Sequence, residues 1–197
     1  MLSKLVLFGL GNPGKRYELT RHNLGFRVLD ALCSDYGLEW VKETRSYVHT
    51  EFEIDTTRVV MAKPQTYVNL SGKAVADLGE SLPFDPHELL VLADDIALPF
   101  RQLRLRKRGS DGGHNGLRSI ITELGTTDFP RLRMGVGPVP PDVDPADYVL
   151  SPFSGDELDA VPRLVERAVG CVETVVRSGF DEAMGIFNRA LPDPETG

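Results

Sequence analysis

Residues 4–37 read KLVLFGLGNPGKRYELTRHNLGFRVLDALCSDYG. The apolar run Leu5–Phe8 predicts a buried strand, and the glycine-rich turn GLGNPG ends it. A polar stretch follows, and then Leu24, Val28, Leu32 and Tyr36 recur every four residues. That spacing puts one apolar stripe on a helix over 22–36, with Thr20 as its expected N-cap and Gly37 as its stop. A strand, a tight turn and a helix opening a chain are the beginning of an α/β domain.

Gly9, Gly11 and Gly14 fit the spacing of a dinucleotide-binding turn. Two features argue against that reading. KRYELTRHN has no apolar periodicity, so the helix does not open at the third glycine, and no acidic residue stands at a second strand end ~20 positions on. A glycine-dependent turn remains, with Asn12 in it unexplained.

Residues 46–54 and 58–62 are expected strands, Pro64 breaks into a loop through Asn69, and Ser71 is the expected cap of a helix carrying Val75, Leu78 and Leu82. Residues 89–92 form a short strand that presents Asp94 and Asp95 at its end. In 102–106, Leu103 and Leu105 alternate with Gln102, Arg104 and Arg106. GSDGGHNG then leads into a helix bearing Leu117, Ile120, Ile121 and Leu124. In 131–136, Leu132, Met134 and Val136 lie opposite Arg131 and Arg133, which suggests a second basic face. Residues 138–145, with four prolines, are expected as loop. Ser154 and Glu157 have the spacing of a capping box for a C-terminal helix, which Pro162 kinks or delays. A last helix is expected over 181–190 and a frayed tail over 192–197. Interleaved strands and helices give an α/β fold, a single domain with a central sheet.

The 197 residues, 41% hydrophobic and 26% charged, exclude general disorder, and no apolar stretch approaches the ~18 residues of a membrane helix. With no secretory signal pattern, a cytoplasmic protein is expected. Cys33 and Cys171 lie far apart in apolar helical contexts and read as reduced core thiols. The net charge of −7 is unevenly spread: residues 142–197 hold four basic and twelve acidic residues, −8 in all, which leaves +1 for the rest. RQLRLRKR at 101–108 carries five positive charges and no negative one. A chain acidic overall therefore retains a basic face suited to a polyanion.

Among residues with chemistry to offer, His22 sits at the first turn of a helix, and His114 and Asn115 begin another after two glycines. Free backbone N–H groups at such a helix start favour an anion or a developing oxyanion. No two histidines share a helix face at ligand spacing, so no metal is expected. No GxSxG occurs, which leaves a serine nucleophile unsupported. Asn12, Asn69 and Asn115 lie in three loops. An amide both donates and accepts without charge, which suits holding a peptide backbone and polarising a carbonyl, although asparagines favour turns in any case.

Taken together, GLGNPGKRYELTRHNLGF, KPQTYVNLSGKAV, VLADD followed by LP, and GSDGGHNGLRSII closely resemble the bacterial-type peptidyl-tRNA hydrolase family, from Lys4 to about Asn188. The resemblance implies one α/β domain over residues 1–191 with a mixed, twisted sheet flanked by helices. It implies hydrolysis of the ester joining a peptide to tRNA, without cofactor or metal, by a monomer. It places the catalytic histidine at His22 and its orienting aspartate at Asp94, with Asp95 beside it. Substrate-binding positions fall on Asn12, Tyr17, Val68, Asn69, His114 and Asn115, and tRNA-contacting positions on Arg104, Arg106 and Arg133. Three features depart from the family's usual pattern: Val68 stands where methionine is usual, the loop before YVL carries Asp142, Asp144 and Asp147, and AMGIFNR replaces AMNR. The alternative is a non-catalytic RNA-binding protein on the same scaffold.

Overall fold

Leu5 and Leu7 point to one face of strand β1 (Lys4–Gly9) and Val6 and Phe8 to the other, and all four are fully buried. A strand apolar on both sides must be covered on both sides. On the Leu5 face lie α1 (Leu24–Asp35) and α5 (Asp156–Ser178); on the Phe8 face lie α2 (Ser71–Ser81) and α3 (Asn115–Leu124). This is a computed structural model that describes residues 2–41 and 44–190.

The remaining strands are β2 (Tyr47–Ile54), β3 (Thr57–Pro64), β4 (Leu89–Pro99), β5 (Leu103–Arg106) and β6 (Arg131–Gly137). The sheet order is β2-β3-β1-β4-β6-β5. β1 runs parallel to β3 and β4, and β4 parallel to β6, while the edge pairs β2/β3 and β5/β6 are antiparallel. The sheet is therefore mixed, as expected. Among the described residues no helix is long and apolar enough to cross a membrane.

One close approach fixes the position of the site. A Cβ on Gly25 would lie 2.4 Å from Leu10 N and 2.5 Å from Leu92 O. Only glycine lets α1 enter tight against the carboxyl end of β1 and the middle of β4, and this delivers the turn before α1 to the crevice beside Asp94.

Several local expectations are corrected. Residues 21–23 form a 3-10 turn, so α1 begins at Leu24, and Thr20 bonds the Tyr17 carbonyl (2.7 Å) rather than capping. Ser71 is already helical and donates to Val68 O (2.7 Å), so Leu70 is the cap position. β4 continues well past Leu92, which places Asp94 and Asp95 within the strand, opposite Met134 and Gly135 of β6. The capping box at Ser154 does not form; Gly155 precedes α5, and the Glu157 carboxylate bonds Arg21 instead (2.5 Å). Pro162 lies inside α5, and the last helix is α6 (Phe180–Phe187). The expected 138–145 loop ends in an unforeseen short helix, α4 (Pro145–Leu150), whose cap Asp144 accepts from Ala146 N (2.9 Å), with Pro145 at the first position.

Arg131 does not belong to a basic surface. It is 1% exposed, and its guanidinium lies over the Phe129 ring and donates to the carbonyls of Gly109, Ser110, Thr127 and Phe129. Burial, with the neighbouring Arg133 charge, lowers its pKa to about 10. Cys33 and Cys171 are both free and buried, and burial pushes the Cys171 thiol up to about 12. The expected tail at 192–197 lies outside the described residues.

Candidate active site

Beyond the carboxyl end of β1 and alongside the second half of β4 opens a cleft of about 630 Å³. His22, Asp94 and His114 meet in its floor, brought from the turn before α1, from β4 and from the cap position of α3. Asp94, 3% exposed, accepts at one oxygen, Oδ1, from both imidazoles: His22 Nδ1 at 2.8 Å and His114 Nε2 at 3.0 Å.

The backbone sets the state of His114. Its Nδ1 accepts from Gly116 N (3.1 Å) and Leu117 N (3.4 Å) as the side-chain cap of α3, so the ring proton sits on Nε2 and points at Asp94. Asp94 accordingly receives a fixed N–H from one side. On the other side, His22 donates through Nδ1, which leaves its Nε2 as a free lone pair on a ring lining the cleft.

Burial lowers the pKa of His22, but the charge and hydrogen bond of Asp94 outweigh it, and the net shift is upward. For Asp94, burial works to raise the pKa; the His22 and His114 partners overcome it and hold the carboxyl well below the usual carboxylate range.

A second network holds the asparagines. Asn12 and Asn23 are buried and interlocked: Asn12 N donates to Asn23 Oδ1 and Asn23 Nδ2 donates to Asn12 O, both at 2.9 Å. Asn12 Oδ1 accepts from Val68 N (2.9 Å), so the amide group of Asn12 remains to face the cleft. Val68, Asn69 and Asn115 line the same cleft, Val68 buried and the two asparagines exposed. Tyr17 lines it edge-on to Tyr67, with ring centroids 6.4 Å apart. Asn23 and Tyr67 were not singled out from the sequence, although both stand inside quoted motifs, RHN and TYVN.

Asp95 Oδ2 accepts from Arg133 Nη1 (3.1 Å), and Arg133 Nη2 donates to Ser110 O (2.6 Å). Arg133 is therefore half-buried in the cleft wall, tying β4 to the 109–113 loop. Arg104 pairs with Arg133 across β5/β6 and so shares its sheet face, as Arg106 does with Arg131. Arg104 and Arg106 are exposed and continue that face outward from the cleft.

Residues without ligand spacing along the chain come together in the fold. His22, Asp94 and His114 offer donor atoms all within 4.8 Å of one another although they come from three separate elements. Three of the nitrogen and oxygen atoms in this group, His22 Nδ1, Asp94 Oδ1 and His114 Nε2, are engaged in hydrogen bonds with one another.

A buried carboxylate that aligns a histidine, with that histidine's second nitrogen open to a cleft, has a geometry suited to proton transfer, and on this sheet it points to the class of α/β enzymes. The comparisons narrow the class. The chain belongs to the peptidyl-tRNA hydrolase family, whose model matches residues 6–195. It is 50% identical over 184 residues to the peptidyl-tRNA hydrolase of Chloroflexus aurantiacus, covering 93% of this chain and 98% of that protein. It is 48% identical over 191 residues to that of Roseiflexus sp., covering 96% and 88%. The crystal structure of the enzyme from Acinetobacter baumannii superposes with a TM-score of 0.88 at 29% identity, covering 95% of this chain and 96% of that one. The activity is hydrolysis of peptidyl-tRNA.

Proposed function

We propose that His22 is the general base of this hydrolysis. Its free Nε2 takes a proton from a water molecule as that water's oxygen attacks the carbonyl carbon of the ester joining peptide to ribose. When the tetrahedral intermediate collapses, the C–O bond to the ribose breaks and the imidazolium returns the proton to the leaving oxygen. Asp94 keeps the ring in the productive tautomer and stabilises its charged form, while His114 anchors Asp94. The carboxylate holding both imidazoles at one oxygen is the observation that carries this reading. Base catalysis of this kind is worth ~10² to 10⁴-fold, and the donors aimed at the oxyanion supply a further share.

The amide of Asn12, with Asn69 and Asn115, holds the peptide and the developing oxyanion; Tyr17 and Val68 border the scissile bond. Arg104 and Arg106 receive tRNA phosphates, and Arg133 shapes the cleft wall through which they are reached. Residues 1–191 act as one catalytic domain, a cytoplasmic monomer that needs neither metal nor cofactor.

Turnover of N-blocked aminoacyl-tRNA by chelator-treated protein tests the scheme. Wild type is expected to retain full activity and His22→Asn to lose nearly all of it while still binding tRNA. Equal turnover by the variant overturns His22 as base, and loss of wild-type activity on chelation overturns the metal-free scheme. Asn12→Ala is expected to weaken use of the substrate by roughly 1 to 3 kcal/mol, the cost of leaving a buried polar partner unpaired.

A further inference from the structure

β5 is an edge strand of only four residues, held by β6 on one side. In an antiparallel pair successive residues turn their backbone groups alternately toward and away from the partner strand, and those of Leu105 turn away. Leu105 is fully buried, so its N–H and C=O need partners other than water. Asn188 supplies both: Leu105 N donates to Asn188 Oδ1 (2.7 Å), and Asn188 Nδ2 donates to Leu105 O (3.1 Å). Leu105 O accepts in addition from Arg106 Nη1 (3.3 Å), so the Asn188 amide together with that guanidinium bond takes the place of a neighbouring strand.

This contact is part of a larger bracket. Asn188 follows directly on α6, which is fixed to α5 by Arg167, whose guanidinium donates to the carbonyls of Phe187 (3.1 Å) and Arg189 (3.3 Å). The same guanidinium reaches back to Arg101 O (3.3 Å), just before β5. Beyond β5, Lys107 pairs with Asp181 of α6 (2.7 Å). The segment from Arg101 to Lys107 is accordingly gripped at its start, middle and end by the last two helices.

Arg104 and Arg106 flank Leu105 directly. We infer that Asn188 is a positioning residue for tRNA recognition: by closing the outer edge of β5 it fixes the backbone from which these two arginines project. Asn188 lines no part of the cleft. Its loss therefore acts on the capture of tRNA and leaves the chemical step alone. The inference rests on the assignment of Arg104 and Arg106 to tRNA.

The test measures KM and kcat with N-blocked aminoacyl-tRNA and with the same aminoacyl group on adenosine alone, together with hydrogen exchange at the Leu105 amide. Asn188→Ala is expected to speed exchange at Leu105 and to raise KM for the tRNA substrate roughly 3- to 10-fold, the effect of losing one or two ordinary hydrogen bonds. Its kcat is expected to stay within about twofold, and use of the adenosine ester to be unchanged. Asn188→Asp turns a carboxylate oxygen toward Leu105 O where the amide donated, and is expected to raise the tRNA KM at least as far as Asn188→Ala does. Faster exchange with an unchanged tRNA KM overturns the positioning role, and unchanged exchange overturns the edge closure itself. Arg104→Glu with Arg106→Glu, run alongside, separates the two levels: an unchanged tRNA KM there overturns the arginine assignment on which the inference stands.

Discussion

Asp94→Asn separates the two effects of Asp94 on His22, orientation and charge. The amide oxygen can still accept from His22 Nδ1 and His114 Nε2, so the geometry at 2.8 and 3.0 Å is largely retained. What disappears is the negative charge, which is the reason the His22 pKa stands above its ordinary value despite burial. With the charge gone the burial penalty is opposed only by a neutral hydrogen bond, so the pKa falls. A hydrogen bond to a charged partner contributes roughly 1.5 to 3 kcal/mol, against about 1 for a neutral one. In the proposed mechanism the imidazolium forms as the reaction proceeds, so exchanging the charged bond for a neutral one removes the difference, ~0.5 to 2 kcal/mol, from the transition state and slows turnover by roughly 2- to 30-fold. The assay is the pH dependence of kcat/KM. In wild type, activity falls as pH drops through the raised His22 pKa; in Asp94→Asn the plateau is lower and this acid limb moves to lower pH. A limb that stays in place, or moves upward, refutes control of His22 by Asp94 and directs attention to Asp95. The linked effects on folding have opposite signs. A raised histidine pKa favours the folded state below pH ~6.5, and that stability is lost as pH rises through the raised value; the depressed carboxyl pKa of Asp94 favours the folded state above pH ~3.9 and ceases to do so as pH falls.

Three further outcomes are expected. His114→Ala removes both a helix cap and the second donor to Asp94; the cap alone is worth about 0.5 to 2 kcal/mol, so thermal unfolding must shift downward together with kcat. An unchanged melting temperature denies the capping role. Charge reversal at Arg104 and Arg106 together weakens tRNA binding and lowers the slope of log affinity against log salt by roughly 1.4 to 1.8; a slope equal to wild type retires this face as the tRNA contact. Val68→Met lengthens a side chain that borders the open cleft and is expected to fold normally with a modest change in rate, whereas collapse of the fold, read by circular dichroism, shows that Val68 is packed too tightly against Leu10 and Gly116 to be replaced.

The parts of this molecule readable from its sequence are those fixed by local periodicity or by a motif. β1 is legible because each of its faces is buried, and the alternation in β5 because one face is buried and the other is not. The same alternation in β6 misleads at Arg131, since a pattern of charged and apolar residues records which face a side chain takes but not what covers that face. Here the 109–113 loop covers it, and five guanidinium N–H groups find enough carbonyls to make a buried cation tolerable. Caps fail for a related reason. Ser154 and Glu157 have the spacing of a box, but Arg21, 136 positions earlier in the chain, offers Glu157 a charged partner with Tyr148 stacked 4.1 Å beneath it, and the stronger interaction prevails. Distance along the chain likewise hides the meeting of His22, Asp94 and His114, which no spacing rule detects because each arrives on a different element. In each case the local signal is correct about conformation and silent about partners, and the chemistry of this cleft is decided by partners.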